Sequence, residues 1–146
     1  MNAPPRGVPG LSFHHFGLAV REPEEAFRYL QSIGYSDGLS VFDPLQRVNL
    51  AMRHHPLMPD VEVIWPGPAP SPIDKMIKRS GAMIYHICYT CTDPQAVLAA
   101  LHEAEVDTVL VSPPTPALLF GGRAVSFHMV SGFGMIELLR SGAEVS

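Results

Sequence analysis

Two stretches of this chain carry the same pattern, and that repeat limits the possible fold more than any other feature. The run His15-Phe16-Gly17-Leu18-Ala19-Val20-Arg21-Glu22-Pro23 aligns without a gap on His86-Ile87-Cys88-Tyr89-Thr90-Cys91-Thr92-Asp93-Pro94, at an offset of 71 residues. Each stretch runs from a histidine through a strand-like apolar segment to an acidic residue and a proline. Apolar residues at helical spacing follow: Ala26, Phe27 and Leu30 in the first copy, Val97, Leu98 and Leu101 in the second. Proline suits a first helical turn because its missing N–H has no partner there anyway. Asp93 is a good helix cap, whereas Glu22 is a poorer one whose charge still suits a helix N-terminus. A pattern used twice predicts one supersecondary unit used twice.

The remaining apolar runs complete each unit. Strands are expected at about 13–20, 38–43, 46–53 and 60–65, and again at about 83–90, 107–112, 123–130 and 134–140. The helices between the first and second strands end near Gly34 and Val106. Each half therefore reads strand, helix and three strands. The organisation that follows is a flexible N-terminal lead (1–10), a first module (11–66), a linker with a short helix (67–81), a second module (82–140) and a tail (141–146). The linker opens with Pro66-Gly67-Pro68-Ala69-Pro70-Ser71-Pro72, stiff and rich in turn residues. Ser71 is placed to cap a helix starting at Pro72 and ending near Ser80-Gly81.

The last strand of each half holds one acid among apolar neighbours, Glu62 in Val61-Glu62-Val63-Ile64 and Glu137 in Ile136-Glu137-Leu138-Leu139. A carboxylate in a buried strand is costly unless it is paired, hydrogen-bonded or coordinated, and neither strand core offers a Lys or Arg. Alone, each His reads as a core or surface residue and each Glu as an edge residue facing water. Together, at equivalent places in a repeat, His15, Glu62, His86 and Glu137 predict a single site for one divalent metal at the pseudo-twofold axis. Mixed imidazole and carboxylate ligation suits Co, Ni, Zn, Mn or Fe. Strand alternation puts His14 on the face opposite His15. His54 and His55 read as loop residues, His102 as an exposed helical position, and His128 as a strand residue able to face the cleft. Cys88 and Cys91 form a lone C-x-x-C that reads as ordinary reduced thiols rather than a redox or zinc pair.

Two modules with this ligand pattern resemble the vicinal oxygen chelate superfamily, which includes glyoxalase I, methylmalonyl-CoA epimerases, extradiol dioxygenases and bleomycin-resistance proteins. The segments that most resemble the methylmalonyl-CoA epimerases are His15-Phe-Gly-Leu-Ala-Val20, Ser71-Pro-Ile-Asp-Lys-Met76, Tyr85-His-Ile-Cys-Tyr89, Gly121-Gly-Arg123 and Ile136-Glu-Leu138. The resemblance implies an α+β fold in which two tandem βαβββ modules form a mixed, barrel-like sheet around a metal cleft. It implies His15, Glu62, His86 and Glu137 as metal ligands and a homodimer. It also implies a catalytic Glu on the strand before the second ligand, where the matching position in Arg47-Val48-Asn49-Leu50 is Asn49. An amide cannot remove a proton, and an epimerase needs acid–base groups on both faces of the reacting carbon. The function this implies is a metal-dependent enzyme stabilising an enolate of a small acyl thioester or α-oxygenated carbonyl compound. Glu137 is the proton-transfer candidate, with Asn49 and His128 orienting or relaying. Arg123, Gly121 and Gly122 are candidates for substrate contact from a loop at the cleft mouth. A glyoxalase-I-like lyase and a non-catalytic binder are the competing readings.

Charge narrows the partners. The net charge is −4 at pH 7 and no long basic run appears, which argues against nucleic acid and anionic membranes. A small molecule, free or carried on CoA or an acyl carrier protein, is the expected partner. Met1 to Gly10 lacks the apolar core of a signal peptide, so a cytoplasmic location is the expectation.

Overall fold

The computed structural model describes residues 10–68 and 70–142. The expected flexible lead at Met1–Pro9 and the end of the expected tail lie outside the described residues. The first half contributes β1 (Ser12–Val20), α1 (Glu24–Ser32), β2 (Ser36–Asp43), β3 (Val48–His54) and β4 (Asp60–Pro66). The linker holds α2 (Asp74–Ser80). The second half contributes β5 (Ala82–Cys91), α3 (Pro94–Glu103), β6 (Thr108–Pro116), β7 (Ala124–Val130) and β8 (Gly134–Arg140), with a single 3-10 turn at Leu118–Phe120 between β6 and β7. All eight expected strands and all three helices are present. It is an α+β fold.

One sheet holds every strand, in the order β2-β3-β4-β1-β5-β8-β7-β6. β1 pairs antiparallel with β5 at the centre, and each has its own module's last strand, β4 or β8, parallel on its other side. The remaining neighbours are antiparallel. The two modules thus meet strand to strand, and the histidine strands are the innermost. The barrel-like shape is not reached by closure, because β2 and β6 are the two ends of the order. Instead the 3-10 turn lies beside β2, and the Leu118 N–H donates to the Asp43 carboxylate.

Side-chain alternation gives the sheet two different faces. On one, α1 covers Val20, Val61 and Val63 through Leu30, and α3 covers Cys91, Ile136 and Leu138 through Val97. On the other, Ile73 and Ile77 of the α2 segment pack with Ala19, Val48, Leu50, Met52, Ile64 and Leu119. Glu62 and Glu137 alternate onto this second face.

The helix starts differ as their sequences do. The Asp93 carboxylate accepts from the N–H groups of Gln95 and Ala96 and caps α3. α1 has no side-chain cap, and Pro23 rather than Glu22 occupies the cap position. The Ser71 cap is corrected: its hydroxyl donates to the Arg47 carbonyl instead, and the Asp74 carboxylate reaches back to the Ser71 N–H. None of the described helices is long and apolar enough to cross a membrane.

Candidate metal centre

Four side chains converge where the two modules join. His15 on β1, Glu62 on β4, His86 on β5 and Glu137 on β8 offer donor atoms that all lie within 4.8 Å of one another. His15 Nε2 stands 3.4 Å from Glu62 Oε1 and 3.3 Å from Glu137 Oε1. His86 Nε2 stands 3.8 Å and 3.0 Å from the same two oxygens, and 3.5 Å from His15 Nε2. Ligands at roughly 2.0–2.2 Å from one ion lie about 3–4 Å apart, so the donor set fits a single cation. All four residues are buried, at 3% exposure or less. Among the described residues His86 Nδ1 has no hydrogen-bond partner.

Without a cation the cluster balances itself by protonation. Burial works to lower the His15 pKa, but the charges and hydrogen bonds of Glu62 and Glu137 outweigh it and push it up to about 9. Burial works to raise the Glu137 carboxyl, but hydrogen bonds from His15 and His86 outweigh it and hold it at about 2. A divalent cation would take over the neutralising role, displacing the proton from His15.

The residues preceding His15 and His86 depart from simple alternation. The β1·β5 register shifts twice, between Phe13 and His15 and again where Gly17 faces His86 and Leu18 faces Ile84. The first bulge leaves His14 unopposed and the second leaves Tyr85 unopposed. His14 therefore does not lie on the far face as alternation predicts. Its Nδ1 is 2.7 Å from His15 Nδ1, and its pKa is lowered by burial and by neighbouring His15 and Arg123. Tyr85 meets the ring of His86 edge-on at 4.4 Å. Burial, with the charges of Glu62 and Glu137, pushes its phenol well above the ordinary value.

Aromatic rings close the site. Phe120 stacks on His15 at 5.5 Å, and Phe127 meets His86 edge-on at 5.3 Å. Tyr85 and Phe127 also line a cavity of about 290 Å³, together with Val48, Met76 and Val125 and with Arg47, Gln46, Ser112 and Thr115 as polar groups. Phe120 is held in place from the first module. Asp43, 1% exposed, accepts from the N–H groups of Leu45, Gln46 and Leu118 and from the Gln46 side chain.

The structure does not bring the other expected residues to the cluster. Glu62 pairs across the ladder with Met52, so the residues of β3 on its face are Val48, Leu50, Met52 and, at the strand's end rather than in a loop, His54, whose Nδ1 lies 3.1 Å from the Asp60 carboxylate. Asn49 pairs with Trp65 on the α1 side and donates to the Pro66 carbonyl. His128 shares the α3 side with Val130; it is buried and hydrogen-bonded to Ser126 at 2.8 Å. Gly121, Gly122 and Arg123 form the loop expected of them, but their N–H groups bond the carbonyls of Leu118, Ala117 and Phe120. The Arg123 side chain also donates to the Phe120 carbonyl. The backbone donors of Gly121, Gly122 and Arg123 are thus satisfied within the loop. Cys88 and Cys91 are free, buried thiols packed in different clusters on opposite faces, so the C-x-x-C forms no pair.

Asp43, Gly17, Tyr85, Phe120 and Phe127 were not legible as site residues. Gly17 is the sharpest omission: a Cβ there would meet the His86 ring at 2.1–2.6 Å. The available signal was the offset itself, which sets Gly17 against Cys88 and His14 against Tyr85.

With this geometry in hand, the comparisons are consistent. The family model for the Glyoxalase/Bleomycin resistance protein/Dioxygenase superfamily matches residues 14–127, and the chain belongs to that superfamily. Among solved structures it is similar to the methylmalonyl-CoA epimerase of Mycobacterium tuberculosis, with a TM-score of 0.72 and 19% identity over 91% of this chain and 88% of that one. A selenomethionine methylmalonyl-CoA epimerase gives 0.67 and 25% identity over 88% and 93%. A Streptomyces coelicolor methylmalonyl-CoA epimerase variant in complex with 2-nitronate-propionyl-CoA gives 0.70 and 18% over 90% and 97%. No curated protein sequence matches the chain.

Proposed function

We propose that the chain is a metal-dependent enzyme acting on a small acyl thioester or α-oxygenated carbonyl compound through an enolate. The observation that carries this reading is the meeting of two imidazoles and two carboxylates, deeply buried, beside a largely apolar cavity. His15, Glu62, His86 and Glu137 would hold one divalent cation, of Co, Ni, Zn, Mn or Fe. When bound, such a cation supplies a Lewis acid for a carbonyl oxygen.

The chain's own residues supply the rest. Val48, Met76, Val125 and Phe127 keep water from the acyl group. Tyr85 and Phe127 line the cavity and contact His86, so they connect it to the centre. Glu137 is the proton-transfer group of this reading, a buried carboxylate whose Oε1 lies 3.3 Å from His15 Nε2 and 3.0 Å from His86 Nε2. Arg47 borders the cavity and suits the polar end of a thioester carrier, either CoA or an acyl carrier protein.

One observation favours a second reading. The core-packed side chains of β3 on the cluster's face, Val48, Leu50 and Met52, are apolar, and the one titratable group further along that face, His54, stands 3.1 Å from the Asp60 carboxylate at the strand's end, so β3 supplies no second carboxylate. A reaction needing proton transfer on one face only, such as that of a glyoxalase-I-like lyase, fits this better than epimerisation does. Deuterium uptake at the α-carbon of methylmalonyl-CoA in heavy water, with Co(II)-loaded and metal-free protein, tests the first reading. Metal-dependent exchange supports it. No exchange by protein shown to hold metal removes it and leaves the lyase and simple ligand binding.

A further inference from the structure

We infer that His14 is a positioning residue that fixes His15 for metal ligation, through a hydrogen bond between the two Nδ1 atoms. The inference rests on the metal-site reading above. The bulge between Phe13 and His15 turns the His14 ring toward its neighbour, and the Nδ1 atoms stand 2.7 Å apart. At that distance one nitrogen donates and the other accepts. His15 Nε2 faces Glu62 and Glu137, so a cation would be held at Nε2 and the ring's proton kept at Nδ1. His15 Nδ1–H then donates into the lone pair of His14 Nδ1, and His14 carries its own proton on Nε2. Phe120 touches both rings, edge-on to His14 at 5.3 Å and stacked on His15 at 5.5 Å, which limits rotation of either. A partner of this kind fixes tautomer and ring orientation and raises ligand basicity.

The second half lacks the device. Tyr85 stands where the repeat places the counterpart of His14, and His86 Nδ1 is buried without a partner. The two imidazoles are therefore unequal: His15 is fixed by a hydrogen bond, and His86 only by its packing.

The test uses the full chain, titrated with Co(II) against a competing chelator, with the visible spectrum of the loaded protein and the thermal melt of the metal-free protein recorded beside it. His14→Leu is expected to weaken Co(II) binding by about 10–100-fold and to shift the visible bands, while the metal-free protein still melts cooperatively. His14→Gln, whose amide oxygen can accept from Nδ1–H, is expected to restore most of the affinity. Unchanged affinity and spectrum in His14→Leu would overturn the inference while leaving the metal site standing. A wild-type chain that holds no Co(II) would overturn both. Should His14→Leu fail to fold, nitrogen-15 NMR of the loaded wild-type chain decides. A through-hydrogen-bond coupling between the Nδ1 atoms of His14 and His15 supports the inference, and an unprotonated His15 Nδ1 overturns it.

Discussion

In the first half of the molecule the residue before the ligand histidine is another histidine, and the two rings meet nitrogen to nitrogen. In the second half it is a tyrosine, and His86 is held by edges, faces and a missing side chain. Across the central ladder His15 faces Cys88, whereas His86 faces Gly17. The repeat equates these two partners, yet one presents a thiol and the other bare backbone. The carboxylates differ in the same sense. Glu137 lies at 3.3 and 3.0 Å from the two histidines, Glu62 at 3.4 and 3.8 Å. A duplicated unit thus supplies matching ligands, and small residues around them make the copies unequal.

Removing the acids tests the centre itself and has the largest expected effect. Glu62→Ala and Glu137→Ala should each lose most bound metal by elemental analysis, with Glu137→Ala the more severe because it contacts both rings more closely. In the metal-free protein Glu137→Ala should also destabilise the fold by about 3–5 kcal/mol in denaturant titration, because it leaves a buried imidazolium short of a counter-charge. Normal metal content in both variants would remove the site.

The Gly17–Cys88 pair gives a sharper contrast. Gly17→Ala must displace the His86 ring, since the added Cβ falls 2.1 Å from Cε1. Its Co(II) affinity should drop at least about tenfold, the lower end of what a disturbed metal shell loses. Cys88→Ala removes one sulfur from a tight cluster and should cost about 1–2 kcal/mol of stability, with much less effect on metal. Equal losses from the two would mean that His86 is not held by the absence of a side chain.

Protonation adds a prediction with a definite sign. At neutral pH the proton on His15, held up to about 9, competes with the cation, so metal affinity should rise with pH until about 9 and then level. In the metal-free protein the raised His15 pKa contributes stability that is complete below its ordinary value near 6.5 and lost as pH climbs through about 9. The lowered Glu137 pKa contributes stability present above its ordinary value near 4.5 and lost as pH falls through about 2. Metal titrations between pH 6 and pH 10 check the first statement, with that range bracketing the His15 value of about 9; melting curves check the others. A flat affinity profile would show that His15 carries no proton in the metal-free site.

The same contrast explains what the sequence could reveal. The first strand and helix of each half and the two histidines were legible because they repeat at one offset and periodicity reports burial, and the two acids because each stands in the last apolar strand of its half. The facing of Asn49 and His128 was not, because a strand's two sides can both be buried. Val48, Leu50 and Met52 fill one side of β3, while Asn49 lies with the residues under α1. His14 and Tyr85 were illegible for a different reason: a bulge is a departure from alternation, and no residue type announces it. Nothing in the sequence singles out Asp43, the last residue of β2. Its role appears only once the 3-10 turn of the other module arrives to donate to it.

The helix starts offer the gentlest test, away from the metal. Asp93 accepts from two N–H groups at the start of α3, while Glu22, its counterpart, accepts from none. Asp93→Ala should lower stability by about 1 kcal/mol, the usual loss for a capping carboxylate. Glu22→Ala should stay within about 0.5 kcal/mol of wild type, as exposed substitutions do. Thermal melts of the two variants at one pH decide it. Equal losses would mean that Glu22 supports α1 through its charge at the helix N-terminus rather than by hydrogen bonding, and the two modules would then start their helices on equal terms.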